Sequence, residues 1–203
     1  MPLALSDKRE FQVFKPEEAQ RFAAFCREDP AGLVFLVALT TGLHPSEYLA
    51  LKASDFDRSR STFTITRTLE RKRGEWGFAG TKRPCSRRTI CLPAEVASLI
   101  ASHIDARELS RERLLFQSST RGPLHKRKLV QRDFKPLLAR AGLPDIRLYD
   151  LRHTFAVLAL GEGIPARLVS NVGHEEEASY VTCISLRSIE TSIGSATFWR
   201  ASL

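Results

Sequence analysis

The chain has 203 residues, 31 Lys and Arg against 23 Asp and Glu, and a formal net charge of +8 at pH 7. That length suits one domain with a buried core, and the basic excess favours a polyanionic partner such as nucleic acid over an acidic small molecule. No apolar run approaches the ~18 residues that cross a bilayer and no charged-then-apolar leader opens the chain, while four cysteines without CxxC or Cys–His spacing argue for reduced thiols rather than zinc; no membrane role is expected, and a cytoplasmic setting is.

Residues 1–11 read as a linker remnant. "KPEEAQRFAAFCRED" follows, with Pro and two Glu in a first helical turn and an apolar stripe at Ala19, Phe22 and Phe25. "DPAGLVFLVALTTG" offers Asp29 as N-cap, Pro30 at the first helical position and Gly42 as stop, and its all-round apolar interior predicts a central core helix. "HPSEYLALKASDFD" begins again with Pro45. "STFTITRTLE" alternates Phe63 and Ile65 against threonines, a turn is expected near Arg73 and Gly74, "EWGFAG" returns, and "SRRTICLP" alternates through Arg88, Ile90 and Leu92. The expectation is one small antiparallel sheet over about Ser61–Leu92. Helices are then expected in "AEVASLIASHIDARELS", in "KLVQRDFKPLLARAGL" up to Gly142, in "DLRHTFAVLALGEG" and in "IPARLVSNVG". Beyond His174 neither a 3.6-residue nor a two-residue period persists, so residues 175–203 are expected to be an atypical, weakly structured tail. The fold class is therefore α+β, mostly helical, with a small antiparallel sheet among helices.

Charge is uneven. Arg58 to Arg88 holds ten basic and two acidic residues, and Arg121 to Arg152 nine and three. Two such tracts in one small domain suit a continuous phosphate-binding surface, with Arg83, Arg87, Arg88, Lys126, Arg127 and Lys128 as its candidate contacts. Within "LYDLRHTFAVLALGEG", Arg152 and His153 stand at a helix start, where unpaired N–H groups already carry positive partial charge; a cation there calls for an anion opposite.

Three motifs in order, "ALTTGLHPSEYLALKASDFD", "TKRPCSRRTICLP" and "LYDLRHTFAVLALGEGIPARLVSNVGH", resemble the catalytic domain of tyrosine recombinases, the phage-integrase family. The resemblance runs from about Phe11 to His174 and implies a catalytic domain over 12–174. In that family a tyrosine attacks a DNA phosphodiester through a phosphotyrosyl intermediate, without metal or cofactor. Two arginines clamp the nonbridging oxygens, a hairpin lysine protonates the leaving oxygen, and two further residues assist, as phosphoryl transfer requires of fixed cations and donors.

Carried onto this sequence, the resemblance implies Arg152 as the second arginine, Lys82 as the hairpin lysine, His174 as the "GH" histidine and Tyr149 where the family most often has histidine; Asp150 is expected to cap the helix that carries Arg152. His153 would support them. Two positions depart. "TGLHPSE" puts His44 in the first-arginine slot, where a neutral imidazole offers one donor against a permanent guanidinium fork. The nucleophile slot, nine residues after His174, holds Cys183, and Tyr180 lies one helical turn earlier as an alternative nucleophile. The family's N-terminal clamp domain is expected to be absent, and the loss of pattern after His174 fits a frame change or a decayed gene. The expectation is a truncated, catalytically impaired recombinase domain that binds duplex DNA. The alternatives are a noncatalytic binder or decoy, pairing with an intact recombinase or self-assembling on DNA, and an active enzyme using Tyr180 or Cys183.

Overall fold

The computed structural model describes residues 12–80 and 87–166. Helix α1 (Pro16–Glu28) starts as its sequence dictates: Pro16 opens the first turn and the Glu18 carboxylate accepts the Lys15 N–H at 2.8 Å. It buries Ala19, Phe22, Ala23 and Cys26. Helix α2 (Gly32–Thr41) begins two residues later than Asp29 and Pro30 suggest, because the Asp29 carboxylate instead closes a turn by accepting the Ala31 N–H. As its uniform apolarity predicts, it is buried almost throughout and packs between α1 and α7.

Gly42 ends α2 in the left-handed conformation, φ 60°. A β-carbon there would come within 2.4 Å of the Phe155 ring, so the residue is constrained by backbone and by packing alike. A single turn, α3 (Pro45–Tyr48), follows at once.

The expected single sheet is two. Strands β1 (Phe56–Asp57), β2 (Thr62–Ile65) and β5 (Arg88–Cys91) form an antiparallel sheet in the order β1-β2-β5. Strands β3 (Arg67–Lys72) and β4 (Glu75–Gly80) form a separate hairpin around the expected turn, with Arg73 and Gly74 both at positive φ. Phe63 and Ile65 pair with Ile90 and Arg88, and all four point into the core. Helix α4 (Ala94–Ala106) follows β5 and packs against α2.

The second basic segment is one continuous helical stretch with a change of pitch: α5 (Lys126–Leu129), a π-helical turn at Val130–Phe134, and α6 (Lys135–Arg140). Pro136 has no N–H for the Arg132 carbonyl, and the widened turn accommodates that missing bond. Helix α7 (Asp150–Gly161) closes the core against α2. The Thr154 hydroxyl fastens it, donating to the Asp150 carbonyl at 2.9 Å and accepting the Phe14 N–H at 3.1 Å.

Of the cysteines, Cys26 is free and buried, which pushes its thiol pKa up. Cys91 is disulfide-bonded, so the expectation of reduced thiols is corrected there and no longer argues for a reducing compartment. Among the described residues no helix is long and apolar enough to cross a membrane, and no cluster of three or more His, Cys, Asp or Glu could hold a metal ion.

Candidate functional site

The "TGLHPSE" segment turns sharply because α2 must stop at Gly42 and α3 must start at Pro45. His44 is the N-cap between them: its Nδ1 accepts the Ser46 N–H at 3.2 Å and lies 2.7 Å from the Ser46 hydroxyl. Reciprocally, the Glu47 carboxylate accepts the His44 N–H at 2.8 Å, completing a capping box.

Arg152, in the first turn of α7, reaches back to this segment and donates from Nη1 to the Gly42 carbonyl at 2.5 Å. A cation at a helix start is thereby set against the carbonyl end of α2, whose dipole favours it. Among the described residues the Arg152 guanidinium forms no salt bridge. Asp150 does not cap α7 as expected: its carboxylate turns out of the helix to accept the Arg147 backbone N–H and guanidinium at 2.8–3.2 Å. The cap position is Tyr149.

Tyr149 links the two segments. Its ring meets His44 edge to face at 5.2 Å between centroids and His153 at 5.0 Å. His44, Tyr149, Arg152 and His153 therefore come together where the α2–α3 turn meets the start of α7. Partial burial lowers the His44 pKa first; Glu47 opposes that, and the charges of Arg152 and Lys126 lower it further. The balance favours the neutral ring.

Arg88 requires a correction. Expected as a DNA contact, it is 5% exposed, and both terminal nitrogens donate to the Glu47 carboxylate at 2.8 and 2.9 Å. The cause is strand parity: Arg88 shares the inward face of β5 with Ile90, and a buried guanidinium needs a carboxylate. Burial raises the Glu47 pKa, but the Arg88 hydrogen bonds and charge, the His44 N–H and Arg152 outweigh it and hold the carboxyl below its usual range. Sequence reasoning passed over Glu47, though it is the one acid inside "TGLHPSE" and the inward parity of Arg88 called for a partner.

Arg87, one residue earlier, is exposed, and so are Lys126, Arg127 and Lys128. The hairpin and α5 meet at His125, whose Nε2 accepts from Arg71 at 2.9 Å and whose ring packs edge-on to Trp76 at 5.9 Å. Arg71 also lies over the Trp76 ring at 5.7 Å. The two basic tracts separated in sequence are thus joined at His125. Lys82, Arg83, His174, Tyr180 and Cys183 lie outside the described residues.

The family model for the phage integrase family matches residues 12–182. The chain is 25% identical over 189 residues to a tyrosine recombinase XerC-like protein of Caldanaerobacter subterraneus subsp. tengcongensis, covering 81% of this chain and 48% of that protein. It is 27% identical over 172 residues to the integrase of Mycobacterium phage D29, covering 82% and 46%. The chain thus spans about half the length of the curated relatives it matches. Its fold matches the Tn1549 transposon integrase, solved with circular intermediate DNA, with a TM-score of 0.72 at 19% identity over 90% of this chain and 62% of that one. It matches XerA recombinase with a TM-score of 0.65 at 22% identity over 89% and 64%. The fold is that of a tyrosine-recombinase catalytic domain, and the chain belongs to the phage integrase family.

Proposed function

We propose that this chain is a duplex-DNA-binding tyrosine recombinase in which strand cleavage is impaired. The observation that carries this reading is the imidazole of His44 standing beside Tyr149 and Arg152, where the family motif has an arginine. Arg152 and Tyr149 hold the phosphate, Lys82 and His174 complete the proton-transfer set, and the exposed cations Arg87, Lys126, Arg127 and Lys128, with Arg83, position the backbone of the duplex. Support for the partner comes from the neighbours solved on DNA, the Tn1549 integrase and a XerH recombinase bound to its difH substrate.

The impairment follows from charge. A second permanent cation is replaced by a neutral donor, which costs several kcal/mol of transition-state stabilisation, about a hundredfold or more in rate. Cys183 in the nucleophile position adds a second, independent defect.

Covalent trapping on a nicked duplex tests this. The chain as it stands forms no adduct; His44→Arg with Cys183→Tyr forms one; adding Arg152→Ala abolishes it. A wild-type adduct that survives Cys183→Ala and vanishes with Tyr180→Phe overturns the impairment and puts the nucleophile at Tyr180. No binding to any duplex at low salt removes the DNA reading altogether.

A further inference from the structure

His44 has two ring nitrogens, and the structure distinguishes them. Nδ1 meets one residue twice, accepting the backbone N–H of Ser46 at 3.2 Å and lying 2.7 Å from its hydroxyl. A backbone N–H can only donate, so Nδ1 carries a lone pair and the ring proton sits on Nε2. An imidazolium would set Nδ1–H against the Ser46 N–H and forfeit the α3 cap.

We propose that Ser46 is a positioning residue that holds His44 in its neutral Nε2–H form, so that beside Arg152 the site offers a phosphodiester one permanent cation and one neutral donor. This rests on the phosphate role proposed above for His44 and Arg152, and deepens it. A phosphodiester carries one negative charge in its ground state and gathers more on its nonbridging oxygens as a nucleophile adds. A site with one cation and one neutral donor matches the former and falls short of the latter, so it retains DNA without advancing the reaction.

The groups facing the ring leave it neutral. Among the described residues Glu47 on α3 is the one acid that favours protonation, but its carboxylate is already engaged by Arg88 and the His44 N–H. Arg152 on α7 and Lys126 on α5 oppose a charge on His44, and Tyr149 lays an uncharged ring edge to face against it.

Two-bond proton–nitrogen NMR correlation on histidine-labelled protein reads this directly, because protonated and lone-pair nitrogens resonate far apart. The His44 signals are identified by their loss in His44→Asn. In the wild type, Nδ1 shows as the bare nitrogen and Nε2 as the proton carrier at pH 7, and the ring stays neutral below the pH at which free histidine is half protonated. Ser46→Ala keeps the N–H but loses the hydroxyl, so the Nδ1–H form gains several-fold and the titration midpoint moves up; Ser46→Thr restores both.

An Nδ1–H form or an imidazolium in the wild type at pH 7 overturns the proposal, even if Ser46→Ala does not fold. So does a folded Ser46→Ala with the wild-type spectrum. Adding a short duplex then separates this proposal from the reading beneath it: the His44 Nε2 signal shifts on binding and the shift disappears in Arg152→Ala. If the free protein shows the predicted tautomer but bound DNA leaves Nε2 unmoved, the phosphate role falls.

Discussion

Arg87 and Arg88 are adjacent in sequence and belong to two different regions of the molecule. Arg88 lies in the wall made by α2, α3, β5 and α7, where polar groups are enclosed and answer one another: Arg88 with Glu47, Glu47 with the His44 N–H, Arg152 with the Gly42 carbonyl. Arg87 lies outside that wall and is exposed, as are the cations Lys126, Arg127 and Lys128 of α5. In the first region a charge is held by a specific partner whose removal leaves another buried group unsatisfied. In the second a charge contributes only its long-range field and can be moved or traded with little effect on the fold. Residue type therefore does not say whether an arginine in a basic tract serves the fold or the partner; enclosure does.

The sharpest way to break that contrast is Arg88→Ala. Removing one member of a buried pair leaves the Glu47 carboxylate uncompensated, and stability should fall by about 3–5 kcal/mol in a denaturant titration. If the fall is no larger than for a surface arginine, the two regions do not differ as described. The same pair predicts a pH effect. The Glu47 pKa is lowered by folding, so its stabilisation is complete above the ordinary carboxylate range and is lost as pH falls through the lowered value. Glu47→Gln should accordingly flatten the acid limb of the wild-type stability curve.

Gly42→Ala comes next. A β-carbon 2.4 Å from the Phe155 ring overpacks the α2–α7 interface, costing about 1–3 kcal/mol, and the left-handed backbone adds to it. Calorimetry should show a lowered Tm, and because the Gly42 carbonyl is the anchor of Arg152, DNA affinity should fall with it.

On the other side of the comparison, changing Lys126, Arg127 and Lys128 together to Ala should leave stability within about 0.5 kcal/mol per site of wild type. It should weaken duplex binding uniformly across sequences and reduce the salt slope by about 0.9 for each phosphate that is no longer neutralised, as fluorescence anisotropy at several salt concentrations would show. A changed sequence preference would mean that α5 touches base edges instead. Arg87→Ala is the smallest effect: no measurable change in stability and at most a single phosphate's share of the salt slope.

The sequence by itself determined whatever depends on short-range chemistry. Helix starts at Pro16 and Pro45, the stop at Gly42, the turn at Arg73 and Gly74, and the alternation of Phe63, Ile65 and Ile90 follow from local backbone and side-chain preferences, and the structure shows each. Motif order puts His44, Tyr149 and Arg152 forward as candidates; that their segments meet is a fact of the fold. The clue to Arg88 was also present, since it alternates in step with Ile90, but its place in a basic tract pointed the other way, toward the surface.

Only the tertiary structure decided pairings between distant segments. That β3 and β4 leave the main sheet, that Glu47 meets Arg88 across 41 positions, and that Arg152 reaches Gly42 across 110 are choices among many chemically similar partners. Asp150 shows the limit even at short range: a local rule made it a helix cap, yet the nearby Arg147 guanidinium and N–H claimed its carboxylate instead. A charged side chain can satisfy itself with any opposite group that the packed backbone brings within about 3 Å, and which group that is depends on the assembly of the whole core.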